Sequence, residues 1–406
     1  MSKLEQLIEE LCPNGVEYKT LGEIAVDVFR GAGIKRDEVT EEGVPCVRYG
    51  EIYTTYGVWF DECVSHTLIE NVPTPKYFEY GDILFAITGE SVEEIAKSTA
   101  YVGHDKCLAG GDIVVLKHNQ NPKYLAYALS TTDAQMQKSK GKVKSKVVHS
   151  NVPAIKEIVV PIPPLPVQSE IVRILDNFTE LTAELTAELT ARNKQYSYYR
   201  NKLLTFETAT PIKPLGEVCD VVSGGTPSKT NREFWEGGTI KWLGSTVCQN
   251  QKTVEKATDY ITESGLNHSS TKMMKKETTL IALVGATIGK VAFLPFEATI
   301  NQNIAGIYPK DTNLLNPSYV FYACTTLYPK FLTLTQGAKL AMANLSFVRS
   351  LQIPVPPIDI QNKIVYVLDN FEAICTNLNI GLPAEIEARR KQYEYYRDKL
   401  LTFKPL

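Results

Sequence analysis

Five lysines stand at alternate positions in the segment QKSKGKVKSKVVH, residues 137–149. They are Lys138, Lys140, Lys142, Lys144 and Lys146. Because side chains alternate between the two faces of a β-strand, an extended chain would place all five ammonium groups on one face. Such a row repels itself unless an anion faces it, and a nucleic-acid backbone supplies that anion. The pattern favours a phosphate-binding strand, with a solvated lysine-rich loop as the alternative.

Other polar residues that could contact DNA lie in or beside glycine-rich turns and strand ends, where functional loops concentrate. The stretch that corresponds to the lysine row in the second half of the chain, residues 335–344, contains Lys339 and Gln336, and this glutamine could pair with adenine in the major groove. The remaining candidates are Arg36, Arg48, Tyr49, Thr88 and His149 in the first half, and Thr226, Ser228, Lys229, Ser245, Thr287, Lys290, Gln302 and Asn303 in the second. For each of them, a structural hydrogen bond is the alternative to a base contact.

Motifs for enzyme chemistry are weak. The segment GATIGKV, residues 285–291, is one residue short of a phosphate-binding loop and lacks the Ser or Thr that would hold magnesium. The chain has no dinucleotide fingerprint, no methyltransferase N/D-P-P-Y/F signature, no H-E-x-x-H and no G-x-S-x-G. Its eight cysteines lack C-x-x-C spacing, so we expect reduced thiols that pack as small hydrophobes. We expect no catalytic residue, metal site or cofactor in this chain.

Composition sets the limits within which these residues act. The chain has 406 residues, 44% of them hydrophobic, which is enough for two cored domains with connecting elements. The formal net charge is −3, so binding to a polyanion must come from a local basic surface. The N-terminal sequence MSKLEQLIEEL is unlike a signal peptide, and no run of about 18 apolar residues occurs, so we expect a cytoplasmic protein.

The chain repeats itself once. LPVQSEIVRILDNF at 165–178 returns as IDIQNKIVYVLDNF at 358–371, and a proline-rich stop, PIPP or PVPP, precedes each copy. KQYSYYRNKLLTF at 194–206 returns as KQYEYYRDKLLTF at 391–403, and LGEI at 21–24 returns as LGEV at 215–218. The repeat predicts an N-terminal helix at 1–15, a first domain at 16–164, a central helical spacer at 165–207, a second domain at 208–357 and a distal helical region at 358–406.

Apolar residues recur with helical period in both helical regions. The stripe of the central region is Ile171, Ile174, Leu175, Phe178, Leu181, Leu185, Leu189, Tyr196, Tyr199 and Leu203, and that of the distal region is Ile364, Leu368, Phe371, Ile374, Leu378, Ile386, Tyr393, Tyr396 and Leu400. A lone helix would expose its stripe, so we expect the two regions to pack as an antiparallel coiled-coil pair. The segment from Gly381 to Pro383 should interrupt the distal region, because proline lacks the amide N–H and clashes with the preceding turn. The N-terminal helix should pack near the distal region and bring the termini together.

The two variable domains contain short β-rich runs broken by Gly, Pro and Asn, such as ILFAIT at 83–88 and LIALVG at 280–285. The predicted fold class is therefore α+β: two α/β domains separated by two long antiparallel helices, with an internal pseudo-twofold repeat.

The tetrapeptide TAEL occurs twice in succession in the central helix, at 182–185 and 186–189. Four helical residues advance a helix by roughly 6 Å and turn it by a net 40° or so. The turn is close to the roughly 36° of one base pair of B-DNA, whereas the advance lies between one and two base pairs of about 3.4 Å. A TAEL unit, Thr182, Ala183, Glu184 and Leu185 or Thr186, Ala187, Glu188 and Leu189, is thus suited to act as a spacer that shifts one domain along a duplex. A neutral slippage repeat is the alternative.

These motifs together resemble the DNA-specificity subunits of type I restriction-modification systems. The resemblance rests on the paired P-x-P-P…Q-x-x-I-V…L-D-N-F and K-Q-Y-x-Y-Y-R-x-K-L-L-T-F segments and on GGTPS at 224–228; the TAEL units resemble one branch of the family. The first domain departs from it, with GAGIK at 31–35 where the second has GGTPS. The resemblance implies a non-catalytic subunit in which each domain reads one half of an asymmetric bipartite DNA target.

The resemblance further implies that the helices set the half-site spacing and dock two methyltransferase subunits, and through them two restriction-translocase subunits. S-adenosylmethionine, ATP and magnesium would then bind these partners. Six tyrosines are candidates for the subunit interface, with packing between the helices as the alternative: Tyr196, Tyr198, Tyr199, Tyr393, Tyr395 and Tyr396.

Two other functions remain open. A free-standing bipartite DNA-binding regulator would purify alone in a tight DNA complex at physiological salt. A protein scaffold would show DNA affinity that does not respond to salt.

Overall fold

The computed structural model describes residues 2–140, 142, 147–206, 210–335, 342–376 and 381–406. The chain divides into two compact units. Unit 1 comprises Met1–Glu184 and Glu387–Leu406, and unit 2 comprises Leu185–Ile386. Each unit therefore combines one of the expected domains with segments from both helical regions.

The described secondary structure alternates short strands with helices of very different lengths. The helices are α1 (Lys3–Leu11), α2 (Leu21–Ile24), α3 (Tyr49–Thr54), α4 (Pro122–Leu129), α5 (Thr132–Ser139), α6 (Val152–Lys156), α7 (Leu165–Leu203), α8 (Leu215–Val218), α9 (Glu263–Asn267), α10 (Pro317–Thr325), α11 (Tyr328–Thr335), α12 (Leu345–Ser350), α13 (Ile358–Thr376) and α14 (Leu382–Leu400). The strands of unit 1 are β1 (Tyr18–Thr20), β2 (Ala25–Arg30), β3 (Val39–Thr40), β4 (Val44–Val47), β5 (Trp59–Phe60), β6 (Ser65–Thr67), β7 (Tyr77–Phe78), β8 (Ile83–Ala86), β9 (Thr88–Gly89), β10 (Ser98–Tyr101), β11 (Cys107–Ala109), β12 (Ile113–His118), β13 (Val148–His149) and β14 (Val159–Pro161). The strands of unit 2 are β15 (Ile212–Pro214), β16 (Cys219–Ser223), β17 (Ile240–Leu243), β18 (Asp259–Ile261), β19 (Met273–Met274), β20 (Thr279–Ala282), β21 (Val291–Phe293), β22 (Ala298–Ile300), β23 (Ile304–Pro309) and β24 (Gln352–Pro354).

The two units contain sheets of the same plan. In unit 1 the strand orders are β2-β12-β8-β10-β5 and β3-β6-β4-β11-β7; in unit 2 they are β16-β23-β20-β21 and β18-β17-β22-β19. Within the second sheet of each unit one pair is parallel, β4 with β11 and β17 with β22. This shared order confirms the predicted two-domain repeat.

The central strands are continuous apolar runs because both of their faces are buried. In β8, Ile83 and Phe85 join a core cluster with helix α4, whereas Leu84 and Ala86 join the cluster beneath the second sheet. Strand β20 divides its side chains between two clusters in the same way. The alternation of side chains along a strand thus places each first sheet between helices and the second sheet.

The glutamine of each repeated helical motif forms a hydrogen bond with a carbonyl of the proline-rich segment that precedes it. Gln168, fully buried, accepts a hydrogen bond from the backbone N–H of Asn121 (2.9 Å) and donates from Nε2 to the carbonyl of Pro163 (2.8 Å). Gln361 makes the same two bonds, with Asn316 (2.8 Å) and Pro356 (2.7 Å). The glutamine thereby joins the N-terminus of a domain helix to the start of a long helix in each unit.

The long central helix is confirmed: α7 contains 39 residues, and the division between the units falls inside its TAEL repeat, after Glu184. In unit 1 the ring of Phe178 stacks on Tyr396, and in unit 2 Phe371 stacks on Tyr199, each with 5.6 Å between ring centroids. The start of the central helix thus pairs with the end of the distal region, and the reverse holds in the other unit. This is the pairing order of antiparallel helices.

The distal region is interrupted where the sequence indicates. Helix α13 ends at Thr376, Gly381 forms a bend, and Leu382 and Pro383 open α14. Proline is tolerated in the first helical turn, where its missing N–H has no helical partner. Leu378 of the predicted stripe lies outside the described residues.

The two chain ends meet within unit 1. Leu4 of α1 shares a core cluster with Leu401, and the backbone N–H of Val16 donates to the carbonyl of Lys404 (2.9 Å). The phenol of Tyr18 donates to the carbonyl of Phe403 (3.0 Å). The N-terminal helix thus packs near the end of the distal region, as the sequence predicts.

Candidate nucleic-acid interface

Four loops of unit 2 meet at one edge of its two sheets. They follow β16, β17 and β20 and connect β22 to β23; because β17 and β22 are parallel, their carboxyl ends lie at the same edge. Four backbone hydrogen bonds join these loops and the chain before α12: Gly225 N–H to Ile300 O (3.0 Å), Asn301 to Leu243 (3.0 Å), Leu283 to Asn303 (2.8 Å) and Ala343 to Leu283 (2.9 Å). We refer to this group of loops as loop cluster 2.

Unit 1 has the same arrangement, which we call loop cluster 1. Its loops follow β2, β4 and β8 and connect β11 to β12. The corresponding bonds run from Ala32 N–H to Ala109 O (2.9 Å), Gly110 to Val47 (2.8 Å), Ile87 to Asp112 (3.0 Å) and Ser150 to Ile87 (2.8 Å). Two loop clusters of unlike sequence are therefore held on one backbone frame.

A glycine in each cluster permits this close approach. A Cβ atom on Gly31 would lie 2.2 Å from the carbonyl oxygen of Gly110, and one on Gly224 would lie 1.7 Å from that of Ile300. No side chain fits at these distances. The GAGIK and GGTPS segments, which differ in sequence, therefore share their first glycine for the same steric reason.

Loop cluster 2 brings together several predicted residues. The hydroxyl of Thr226 donates to Oε1 of Gln302 (2.7 Å), and the exposed Lys229 ammonium lies 4.7 Å from the Trp235 ring centroid. The backbone of Asn303 belongs to the frame, and Ser245 opens a short 3-10 helix, Ser245–Val247, directly after β17. Predicted residues from three loops thus occupy one surface.

The remaining second-half candidates lie beside this surface. Ser228 is exposed, and its hydroxyl contacts that of Thr230 (2.8 Å). Thr287 ends the 3-10 helix Gly285–Thr287, in the loop after β20, and the ammonium of Lys290 donates to Oε1 of Gln249 (3.3 Å). For Lys290 this is a structural hydrogen bond, the alternative to a base contact.

Two tryptophans in this region were not among the residues predicted from the sequence. The indole N–H of Trp242 donates to the carbonyl of Gly225 (3.0 Å), and that of Trp235 donates to the carbonyl of Ser228 (3.1 Å). Both indole N–H groups therefore hold carbonyls of the GGTPS turn by hydrogen bonds. The available signal was that two of the chain's three tryptophans follow this turn within 18 residues.

Loop cluster 1 presents a different set of side chains. The hydroxyl of Thr88 and Nδ1 of His149 lie 3.3 Å apart across the β9–β13 pair. Arg48 is partly buried and pairs with Glu51 (3.2 Å), the structural alternative for this residue, whereas Tyr49 is exposed. Arg36 is also exposed, in the 3-10 helix Arg36–Glu38.

The prediction that the lysine row forms a strand is wrong for the described part of the row. Lys138 lies in α5, is 5% exposed, and donates to Ser98 Oγ (3.1 Å) and the carbonyl of Leu129 (2.7 Å). Burial lowers the pKa of this ammonium to about 7. Thr131 caps the helix through the N–H of Ala134, and residues 134–139 contain no β-branched side chain, so helix formation overrides the alternating pattern.

The rest of the row is only partly described. Lys140 is exposed at the end of α5 and Lys142 is partly buried, whereas Lys144 and Lys146 lie outside the described residues. Gln336 and Lys339 also lie outside them.

The six tyrosines divide into three matched pairs. Tyr196 and Tyr393 are mostly buried against the cores of units 2 and 1, the packing alternative for these positions. Tyr199 and Tyr396 stack on phenylalanines, whereas Tyr198 and Tyr395 are 59% and 61% exposed. A lysine ammonium lies 5.8 Å from each exposed ring, Lys202 over Tyr198 and Lys399 over Tyr395.

Within the described ranges, the cysteines and acidic residues show no metal-binding arrangement. All eight cysteines are free thiols, and all except the partly exposed Cys63 are buried. In the part of the chain that the structure describes, no cluster of three His, Cys, Asp or Glu side chains is placed to hold a metal ion. None of the described helices is long and apolar enough to span a membrane.

Comparison with known proteins supports the repeat and the fold. The model of the type I restriction modification DNA specificity domain matches residues 13–192 and 211–388. The chain is 39% identical to the type I restriction enzyme EcoR124I/EcoR124II specificity subunit of Escherichia coli, over 69% of this chain and 70% of that one. It is 33% identical to a putative type I specificity subunit of Haemophilus influenzae, over 65% and 68% of the two chains.

Solved structures show the same fold. The type I S subunit of M. genitalium aligns over 96% of this chain and 97% of its own, with 16% identity and a TM-score of 0.54. A chain from a study of complex assembly in the type I R-M system aligns over 96% and 98%, with 17% identity and a TM-score of 0.61. With two matches to the family model and a relative of 39% identity, this chain belongs to the type I restriction-modification DNA-specificity family.

Proposed function

We propose that each domain reads one half of an asymmetric bipartite DNA target through its loop cluster. The family assignment makes the chain the non-catalytic subunit that supplies DNA sequence specificity in a restriction-modification complex. The observation that carries the two-half proposal is the common frame of four backbone hydrogen bonds, which holds two sets of side chains with different chemistry. Equal frames with unequal side chains suit two half-sites of different sequence.

The side chains on these frames are suited to base readout. Loop cluster 2 presents the amide of Gln302, the hydroxyl of Thr226 and the ammonium of Lys229, which offer hydrogen-bond donors and acceptors to base edges in the major groove. Loop cluster 1 presents Tyr49, His149 and the hydroxyl of Thr88. Lys140, Arg36 and the other exposed cations supply phosphate contacts that position the domains but do not specify sequence.

The helical regions carry the second part of the proposal, spacing and docking. The TAEL units lie within the uninterrupted helix α7, so a change in their number alters the length of a continuous helix between the two domains. Tyr198 with Lys202 and Tyr395 with Lys399 form two exposed surfaces of equal geometry. Two equal surfaces fit two methyltransferase subunits, which in turn recruit two restriction subunits.

Within this complex the chemistry belongs to the partners. We place methyl transfer from S-adenosylmethionine in the methyltransferase subunits, and ATP hydrolysis and magnesium-dependent cleavage in the restriction subunits. The complex acts on cellular DNA in the cytoplasm.

A domain exchange tests the proposal. Residues 208–357 are replaced by the equivalent domain of a relative with a different target, and the hybrid is expressed with the cognate methyltransferase. Methylome sequencing should show a new second half-site, an unchanged first half-site and an unchanged spacer. A change in both halves, or in neither, would contradict the assignment of one half-site to each domain.

Salt dependence separates this function from the alternatives. DNA binding by the assembled complex should weaken steeply as salt rises, because phosphate contacts release counterions. Affinity that is independent of salt would favour a protein scaffold. Tight, specific binding by the chain alone at physiological salt would favour a free-standing regulator.

A further inference from the structure

Thr226 and Gln302 form a hydrogen-bonded pair on the surface of loop cluster 2. They are 76 positions apart in sequence, and the threonine hydroxyl donates to Oε1 of the glutamine at 2.7 Å. Gln302 is exposed and Thr226 is partly buried. The amide oxygen of the glutamine is therefore held by a residue of another loop, while the glutamine remains an exposed residue.

The threonine is itself held on a rigid turn. On one side, the carbonyl of Gly225 accepts hydrogen bonds from the indole of Trp242 (3.0 Å) and from the hydroxyl of Thr271. On the other side, Pro227 is buried and the carbonyl of Ser228 accepts from the indole of Trp235 (3.1 Å). Both neighbours of Thr226 along the chain are thus fixed, and with them the backbone that carries its side chain.

The glutamine is anchored with equal firmness. It follows β22 and Asn301, whose backbone N–H donates to the carbonyl of Leu243 (3.0 Å). It precedes Asn303, whose carbonyl accepts from the N–H of Leu283 (2.8 Å). Two frame bonds therefore flank Gln302, and the remaining freedom lies in its side-chain torsions.

The bond to Thr226 restricts that freedom, and because the hydroxyl donates to Oε1, the oxygen end of the amide is turned toward Thr226. An amide oxygen has two acceptor lone pairs and the amide nitrogen has two N–H donors. With one lone pair taken by Thr226, Oε1 keeps one acceptor site, and the Nε2 donors remain beside it. The exposed edge then presents one acceptor next to donors, in a fixed order.

Among the bases, adenine matches this edge. Its major-groove edge carries the N6 donor beside the N7 acceptor, and a glutamine amide pairs with both. We infer that Gln302 reads an adenine in the half-site of the second domain, and that Thr226 is the positioning residue that fixes the amide for this pairing. The inference rests on the proposed function of loop cluster 2.

Three substitutions separate reading from positioning. Thr226→Val keeps the shape but removes the hydroxyl, Thr226→Ser keeps the hydroxyl as a matched control, and Gln302→Glu replaces the donor end by an acceptor. Each variant is assembled with the cognate methyltransferase, and its binding is measured on targets that carry every base at every half-site position. The first half-site serves as the internal control for folding.

We expect one adenine position of the second half-site to respond. Thr226→Val should reduce the preference for adenine there at least about fivefold, since one bidentate contact discriminates by about 1 kcal/mol or more, while Thr226→Ser keeps it. Gln302→Glu should shift the preference at that position to cytosine, whose N4 group donates.

Three outcomes would overturn the inference: Gln302→Glu changes no position, it changes a position where the wild type requires a base other than adenine, or Thr226→Val leaves the preference intact. If the domain exchange nevertheless changes the second half-site, the proposed function stands and only the role of this pair fails. If the exchange leaves that half-site unchanged, the proposed function itself fails.

Discussion

The phenol of Tyr127 donates a hydrogen bond of 2.7 Å to the carboxylate of Asp176. Tyr322 makes the same bond to Asp369 in unit 2. Asp176 and Asp369 are the aspartates of the repeated L-D-N-F motif, and the tyrosines lie on α4 and α10. In each unit, therefore, one motif residue joins the helix of a domain to a long helix.

Tyr127→Phe should loosen this joint. The phenol is buried and its acceptor is charged, so we expect a loss of about 1.5 to 3 kcal/mol in the local opening free energy of α4. Hydrogen exchange of residues 122–129 should accelerate accordingly, while residues 317–325 of unit 2 exchange as before. Tyr198→Phe, on an exposed ring, should change neither segment. Equal protection in wild type and Tyr127→Phe would show that the bond does not stabilise the joint.

Lys138 should make the stability of unit 1 depend on pH. Its pKa is about 7 in the folded protein, against about 10.4 in an unfolded chain. Between these values the unfolded chain holds the proton and the folded one does not, so stability rises with pH, by up to about 1.4 kcal/mol per pH unit. Below pH 7 both states are protonated, and the destabilising effect of the buried lysine is constant.

Lys138→Met should remove this slope because the variant has no group to titrate. Urea unfolding followed by pulse proteolysis and peptide mapping, at several values from pH 7 to 9.5, resolves unit 1 from unit 2. The difference between wild type and variant isolates Lys138 from the other titrating groups. Lys140→Met, at an exposed position, is the control and should keep the wild-type slope. A parallel pH profile for wild type and Lys138→Met would contradict the assignment.

The repeat, the long helix and the central strands could be predicted from sequence because each rests on a local pattern. The runs at residues 83–86 and 280–282 are apolar at every position, which is what burial on both faces requires. The lysine row failed because period-two spacing says nothing about a preceding cap, and the hydroxyl of Thr131 begins a helix that extends through Lys138. The helix cap at Thr131 therefore determined the structure of this segment, and the alternation of lysines did not.

The candidate interface was predicted in part for a different reason. Glycine-rich turns and strand ends identify loops, so residues such as Thr226 and Gln302 could be named from sequence. Their pairing could not be, since it depends on the backbone frame that joins loops 76 positions apart. The tryptophans were missed because large aromatic residues read as core, whereas their indole N–H groups support the turn.

Gly224→Ala should disable the second loop cluster. Its Cβ would lie 1.7 Å from the carbonyl oxygen of Ile300, a backbone atom that cannot move without breaking the frame. We expect a loss of more than about tenfold in affinity for the target, comparable to a lost base contact of 1–3 kcal/mol. Gly33→Ala is the control, since nothing lies within 4 Å of a Cβ there. Binding of the assembled complex to its target gives the readout, and equal losses for the two variants would contradict this reasoning.

Tyr198 and Tyr395 should each be required for the docking of one methyltransferase subunit. Both rings are exposed and carry a lysine at the same distance, so each offers an amphipathic surface to a partner. Tyr198→Glu or Tyr395→Glu alone should reduce the number of bound methyltransferase subunits from two to one, and the double variant should bind none. Native mass spectrometry counts the subunits. Met136→Glu, at another exposed apolar side chain, is the control. Two bound subunits in the double variant would exclude these surfaces from docking.

Deleting Thr186–Leu189 should alter the spacer of the target and leave both half-sites intact. Helix α7 is continuous here and the repeat contains mostly exposed side chains, so the loss of four residues shortens the helix without opening a core. The deletion removes roughly 6 Å and a net turn of some 40°. The turn matches the loss of one base pair of about 36°, and the distance lies between one and two base pairs of about 3.4 Å. Methylome sequencing should therefore report a shorter spacer. Replacing Thr186 and Glu188 by alanine keeps the helix length and should keep the spacer, whereas deleting only two residues turns the helix by about 200° and should abolish methylation. An unchanged spacer after the four-residue deletion, or an altered half-site, would refute the spacing role of the repeat.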